Sequence, residues 1–272
     1  MQLNLFRVLF PGAKTSIIVA TCVLFGLSLT VVLSGVVPPF TEDTARGVNV
    51  VHVVDTTGKY GEKREPSSHI SLFSTTPGKL VKEVAQIGEG FVCGRDKPLD
   101  FVTFSVKYGC WTHNDTGSGW SESDIPTLHV ESDIKGDCRI TEILIDTKAS
   151  TRWSLAINTE EIEDFRLKDN SELIPLDDKS STDGWHIIQF SGGKNAPTKF
   201  NLTLFWIKNY TQIAHTDDSM TEHLLLKLRT DVDRLTAPAE RVLMKLPAWC
   251  SLFGKSTSPP TLAFLSSLPV TF

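Results

Sequence analysis

Between Lys14 and Glu42 the chain carries no charge, and residues 15–37 run Thr15-Ser-Ile-Ile-Val-Ala-Thr-Cys-Val-Leu-Phe-Gly-Leu-Ser-Leu-Thr-Val-Val-Leu-Ser-Gly-Val-Val37. As a helix rising about 1.5 Å per residue this stretch is roughly 34 Å long, enough to cross a hydrocarbon core of about 30 Å with some tilt. Arg7 and Lys14 precede it and Glu42 and Asp43 follow it. The positive-inside bias therefore predicts a cytoplasmic N-terminus and a lumenal or extracellular remainder. A cleaved signal peptide competes, but its apolar region is usually shorter, about 7–15 residues, and Pro38-Pro39 stands where a small-residue cleavage site is expected. A retained anchor is the better expectation. Leu3, Leu5, Phe6, Val8, Leu9 and Phe10 make the opening apolar too, which reads as the tail of an earlier membrane loop.

Beyond the anchor the pattern changes period. Val48-Asn-Val-Val-His-Val-Val-Asp55 is rich in β-branched residues and ends in an Asp-Thr-Thr-Gly turn. Residues 70–74, 100–108, 128–130, 140–146, 152–158, 185–190 and 200–207 continue as short strand-like segments between Gly, Pro, Asn and Asp clusters. Repeated period-2 segments of this kind predict a mainly β protein, an antiparallel β-sandwich. Residues 224–230 fit a strand or a helix equally. Thr236-Ala-Pro-Ala-Glu-Arg-Val-Leu-Met-Lys-Leu246 predicts a short C-terminal helix, with Thr236 as its cap and Pro238 early. Leu262, Phe264, Leu265, Leu268 and Val270 imply that the tail packs. The expected organisation is a cytoplasmic or membrane-loop segment at 1–14, a transmembrane helix at 15–37, a linker at 38–47 and a lumenal β-sandwich at 48–272.

Chemistry is sparse. The formal net charge is −5, and the scattered Lys and Arg form no basic stripe, which argues against a nucleic-acid partner. Asp115-Thr-Gly-Ser118 has the tetrapeptide of aspartic peptidases, but those need two such aspartates sharing a proton and no second copy exists here unless a homodimer supplies it, so a Gly-rich turn is the better expectation. Gly254-Lys-Ser-Thr257 lacks the glycine that a phosphate-binding loop carries five positions earlier, where Trp249 stands. The His215 to His223 stretch, with Asp217, Asp218 and Glu222, is read as a solvated loop. No histidines have metal-ligand spacing, so catalytic and metal residues are expected to be absent.

Three sequons, at Asn114, Asn201 and Asn209, are candidate glycosylation sites of a lumenal domain. In the strand from Phe200, alternation sets Phe200, Leu202, Leu204 and Trp206 inward and Asn201 on the opposite face. Cys93 and Cys110 are the best disulfide pair, with two buried free thiols as the alternative; a bridge over this separation would contribute about 3 kcal/mol.

Several segments together resemble one family. Val48 to Asp55, Ile87-Gly-Glu-Gly-Phe-Val-Cys-Gly94, Asp100-Phe-Val-Thr-Phe-Ser-Val-Lys-Tyr-Gly-Cys110, Asn158-Thr-Glu-Glu-Ile-Glu-Asp-Phe165, Trp185-His-Ile-Ile-Gln-Phe-Ser-Gly-Gly193, Trp249-Cys-Ser-Leu-Phe-Gly-Lys-Ser-Thr257 and Leu262-Ala-Phe-Leu-Ser-Ser-Leu-Pro269 are similar to the C-terminal region of fungal vacuolar membrane proteases. That resemblance implies the last transmembrane helix and the terminal lumenal β-domain of a multi-pass zinc peptidase of the aminopeptidase type. The family's His-x-Asp and Glu-Glu catalytic segments have no counterpart in this sequence. Zinc is therefore expected only in a separate catalytic domain, with no cofactor in this chain. The implied role is a non-catalytic, structural or docking one at the vacuolar membrane. Its implied partners are membrane lipid, other transmembrane helices and a lumenal peptidase domain. An independent single-pass glycoprotein binding module is the alternative. Cys138 is less typical of the family, which disfavours a disulfide there.

Overall fold

The computed structural model describes residues 13–34, 40–57, 65–74, 76, 78–94, 102, 108–113, 119–136, 138–169, 172–175, 181–192, 196–207, 223–252 and 262–271. Helix α1 covers Ala13–Leu33. The described strands are β1 (Arg46–Asp55), β2 (Ser67–Phe73), β3 (Val92–Gly94), β4 (Gly109–Trp111), β5 (Thr127–Lys135), β6 (Arg139–Asp146), β7 (Arg152–Asn158), β8 (Ile162–Asp169), β9 (Glu172–Leu173), β10 (Ser181–Thr182), β11 (Trp185–Ser191), β12 (Lys199–Trp206), β13 (Leu224–Val232), β14 (Cys250–Leu252) and β15 (Leu262–Pro269). Two further short helices are α2 (Val81–Ile87) and α3 (Ala237–Met244).

The protein is mainly β and its strands form two sheets. The larger has ten strands in the order β10-β11-β7-β13-β15-β1-β2-β4-β3, with β14 added beside β1. The smaller has five, β5-β6-β12-β8-β9. Pairing is antiparallel except around β1, which meets both β14 and β15 in parallel. The expected antiparallel sandwich has this one addition among the described strands: the C-terminal strands return to lie beside the first strand in the same direction.

The sheets face each other across the main core. Ile143, Ile145, Phe165, Leu167, Phe200, Leu202, Leu204 and Trp206 come from the smaller sheet, and Trp153, Leu155, Ile157, Leu226 and Leu228 from the larger. The larger sheet is wider than its partner, so other elements cover the rest of this face. Helices α2 and α3 lie over the β1–β2–β4 end, where Leu80, Ile87, Ala239 and Val242 meet Val48, Val50, Ile70 and Leu72. Between them and the main core, Trp120 and Ile125 pack on Val54, Val232 and Phe264.

This arrangement explains the sequence of β1. Val48, Val50 and Val54 face the helices and the sandwich, whereas Val51 and Val53 face a separate cluster on the opposite side with Ala156, Ala263 and Leu265. A strand covered on both faces has no polar face to alternate with. Asp55 ends it by accepting hydrogen bonds from the Thr57 backbone N–H and hydroxyl, a local turn that competes with further pairing.

Helix α3 shows a second departure from expectation. Thr236 occupies the cap position, but its hydroxyl makes no capping bond. It pairs instead with Nδ1 of the buried His52 at 2.9 Å, joining the helix start to the middle of β1. Gly119 (φ 132°) passes so close that a Cβ there would lie 2.9 Å from the Thr236 Cβ, so only glycine fits.

Candidate functional site

Helix α1 differs from every other element. Ile17, Ile18 and Val19 are 65, 62 and 55% exposed, and Leu24 and Phe25 are 65 and 69% exposed, so consecutive side chains point outward all round the helix. A soluble surface helix has a single apolar stripe; one apolar on every side needs an apolar surrounding. Two of its hydroxyls are satisfied internally, Thr21 donating to the Ile17 carbonyl and Thr30 to that of Gly26, each at 2.8 Å. In lipid, where no water can serve polar groups, such back-bonding is the local solution. Thr15–Leu33 is long and apolar enough to cross a membrane, and none of it is buried against the described protein.

The chain enters the sandwich at Arg46, whose side chain is 3% exposed. Its Nη1 donates to Glu83 Oε1 at 2.9 Å and to the Lys79 carbonyl at 3.0 Å. Its Nη2 donates to the Gly78 carbonyl at 2.6 Å and its Nε to the Thr76 hydroxyl. The Phe40 ring lies 5.3 Å from the guanidinium carbon. One side chain thus gathers the approaching linker, the turn before α2 and α2 itself onto the first residue of β1. Cys250, opposite Arg46 in the β1–β14 register, is a free thiol pushed up to about 11 by burial and then by the nearby Glu83 carboxylate. Nothing in the sequence signals the Arg46–Glu83 pair, because its members are 37 positions apart on elements of different type.

Cys93 and Cys110 stand directly opposite each other on β3 and β4, and their sulfurs are bonded. The bridge fastens the three-residue strand β3, last in the described order of the larger sheet, to its neighbour β4. Cys22, Cys138 and Cys250 are free. Non-reducing peptide mapping is expected to recover the Cys93–Cys110 bridge, with Cys138 and Cys250 alkylated. A Cys93→Ser, Cys110→Ser double variant is expected to lose about 3 kcal/mol of stability, read as a lower urea midpoint, because the unfolded chain regains the freedom of a closed loop.

Of the three sequon asparagines, Asn201 is described. It is exposed on β12, the central strand of the smaller sheet, between Leu144 of β6 and Lys168 of β8, while Phe200, Leu202, Leu204 and Trp206 are buried. Asn114 and Asn209 lie outside the described residues, as do Asp115, residues 254–257 and His215. Of the expected strand at 100–108, only the fully buried Val102 and the half-buried Tyr108 are described. His223 is described, and its carbonyl accepts the Val270 N–H. Among the described residues no group of three or more His, Cys, Asp and Glu side chains is placed to hold a metal ion.

No protein-family model matches the chain, and no curated protein matches it. One solved structure, titled "Complete structure of manganese lipoxygenase of Gaeumannomyces graminis and partial structure of zonadhesin of Komagataella pastoris", aligns over 86% of this chain and 94% of its own, at 12% identity and a TM-score of 0.23. A score that low carries no argument about fold or function.

Proposed function

We propose that this chain is a membrane-anchored lumenal β-domain without catalytic residues of its own, a structural or docking element in proteolysis at the vacuolar membrane. The observation that carries this reading is an all-round apolar helix leading, within a short linker, into a disulfide-bearing sandwich. Lipid suits the helix, and an oxidising lumen suits the disulfide. The resemblance of seven segments to the C-terminal region of fungal vacuolar membrane proteases supplies the compartment and the link to peptidase function. Membrane lipid, neighbouring transmembrane helices and a lumenal zinc peptidase domain are the partners this reading names, with zinc held by the peptidase domain. The outward position of Asn201 supports its use as a glycan site.

The test uses the tagged full chain expressed in a fungal host. It is expected to resist carbonate extraction, to be protected from trypsin in sealed vacuolar membranes and to crosslink to a lumenal zinc peptidase. Endoglycosidase is expected to increase its mobility, and Asn201→Gln to remove one glycan step. Carbonate extraction of the chain, or digestion of the sandwich in sealed vesicles, overturns the anchored lumenal reading. Protection without any peptidase crosslink would replace the docking role by that of an independent membrane glycoprotein.

A further inference from the structure

The end of the sandwich where β1 begins is kept close to α1 by the chain itself. From Ser34 to Phe40 there are six residue steps, a span of at most about 21 Å, and Phe40 is held against Arg46. Among the described residues, three large apolar side chains are exposed at this end: Val81 by 53%, Met244 by 76% and Leu252 by 44%. The fold places each one there. Arg46 draws in the carbonyls of Gly78 and Lys79, which sets the start of α2, and with it Val81, beside the first residue of β1. Strand β14 pairs in parallel with the first residues of β1, so Leu252 lies beside Val48. Helix α3 starts at the His52–Thr236 contact, and the chain just beyond it returns to Arg46, whose N–H donates to the Trp249 carbonyl. It therefore runs back along β1 and brings Met244 toward the same end.

Basic side chains flank these residues. Lys79 and Lys82 stand on either side of Val81, and Arg241 and Lys245 near Met244, all exposed. Their stems can lie along an apolar boundary while the charges reach water. Among the described residues the acidic groups at this end are Glu42, Asp43 and Glu240, which are exposed, Glu89, which is paired with Lys245, and Glu83, which is buried against Arg46. Charge is therefore mixed, and the apolar side chains set the preference.

We propose that this end of the sandwich rests on the bilayer that α1 spans, with Val81, Met244 and Leu252 entering the boundary between headgroups and acyl chains. The proposal rests on the reading of α1 as a membrane span. Lipid is the occupant because the tether never lets this end leave the membrane's vicinity. The contact is intramolecular, and a few apolar side chains suffice where a free protein partner would need a larger surface.

The experiment places a thiol-reactive fluorophore at single sites of the full chain in phosphatidylcholine vesicles containing doxyl-labelled phosphatidylcholine. Cys22→Ser and Cys138→Ser remove two native thiols, and the parent without an added cysteine measures any labelling of the half-buried Cys250. Val81→Cys, Met244→Cys and Leu252→Cys report on the proposed contact. Ile134→Cys and Leu173→Cys, at positions 61 and 60% exposed on the smaller sheet, are controls. Quenching at the first three sites is expected to be at least about twofold stronger than at the controls. A chain that floats with the vesicles and shows equal or greater quenching at the control sites overturns this proposal alone. A chain that does not float with the vesicles overturns the spanning helix, and the proposal with it.

Discussion

Arg46→Ala is expected to destabilise the sandwich by about 3–5 kcal/mol, the usual consequence of removing one member of a buried ion pair. Arg46 and Glu83 are 3 and 5% exposed, so the substitution leaves the Glu83 carboxylate in a place that water cannot reach. It also frees the carbonyls of Gly78 and Lys79 from their donor. The second Glu83 oxygen has no hydrogen-bond partner even in the intact protein, so there is no reserve contact to compensate. The reading is the urea midpoint of the full chain in detergent, followed by tryptophan fluorescence. Replacing both charges, Arg46→Met with Glu83→Leu, is expected to recover most of the loss, because no isolated charge is then buried. A loss below about 1 kcal/mol for Arg46→Ala would mean that the pair is open to solvent.

Trp206→Ala is the second large expectation, at about 3–5 kcal/mol in the same measurement. The indole is 1% exposed at the end of β12, and its Nε1–H donates to the Thr141 hydroxyl at 2.8 Å. That hydroxyl donates in turn to Asp133 Oδ1, and Arg139 grips both oxygens of Asp133 while its guanidinium carbon lies 3.9 Å from the centre of the indole. The Arg139 hydrogen bonds hold the Asp133 carboxyl below the usual carboxylate range. Truncating Trp206 thus empties a core position and opens one face of a polar network. Trp206→Phe keeps most of the volume and is expected to cost about 1–2 kcal/mol through the lost N–H bond. Equal losses for Ala and Phe would assign the whole effect to the network rather than to packing.

Much of the sandwich is visible in the sequence because strands with one solvated face must alternate. Strand β12 shows it: Phe200, Leu202, Leu204 and Trp206 are buried and Asn201 is exposed, as alternation requires. Where the chain departs from a flat strand, the signal fails for local reasons. In β8 the register skips Glu163, so Ile162 and Phe165, three apart, both face inward and the period of two is lost. A similar shift between Leu224 and Leu226 turns Leu225 and Leu226 both into the core, which is why β13 reads equally as helix or strand. Strands β1 and β15 are covered on both faces over much of their length, and there the alternation is lost. Helix α2 is a seven-residue turn of chain set by its contact with Arg46, a tertiary cause that no local pattern announces. At the candidate site, the apolar anchor and the two bonded cysteines could be read from residue type. The gathering of Val81, Met244 and Leu252 could not, because three distant segments meet there only through pairing with β1.

The parallel pairing of β1 with β15 has a bearing on how the protein is made. His52 waits for Leu262, 210 positions later, before the middle of the largest sheet can close. At about 5–20 residues per second, β1 is made roughly 10–40 s before its parallel neighbour β15 exists, although β2 follows it at once. During that interval the edge of β1 that β15 will cover has no partner, and loop closure over so long a chain is slow. The centre of the larger sheet therefore closes late, only once β15 has been made.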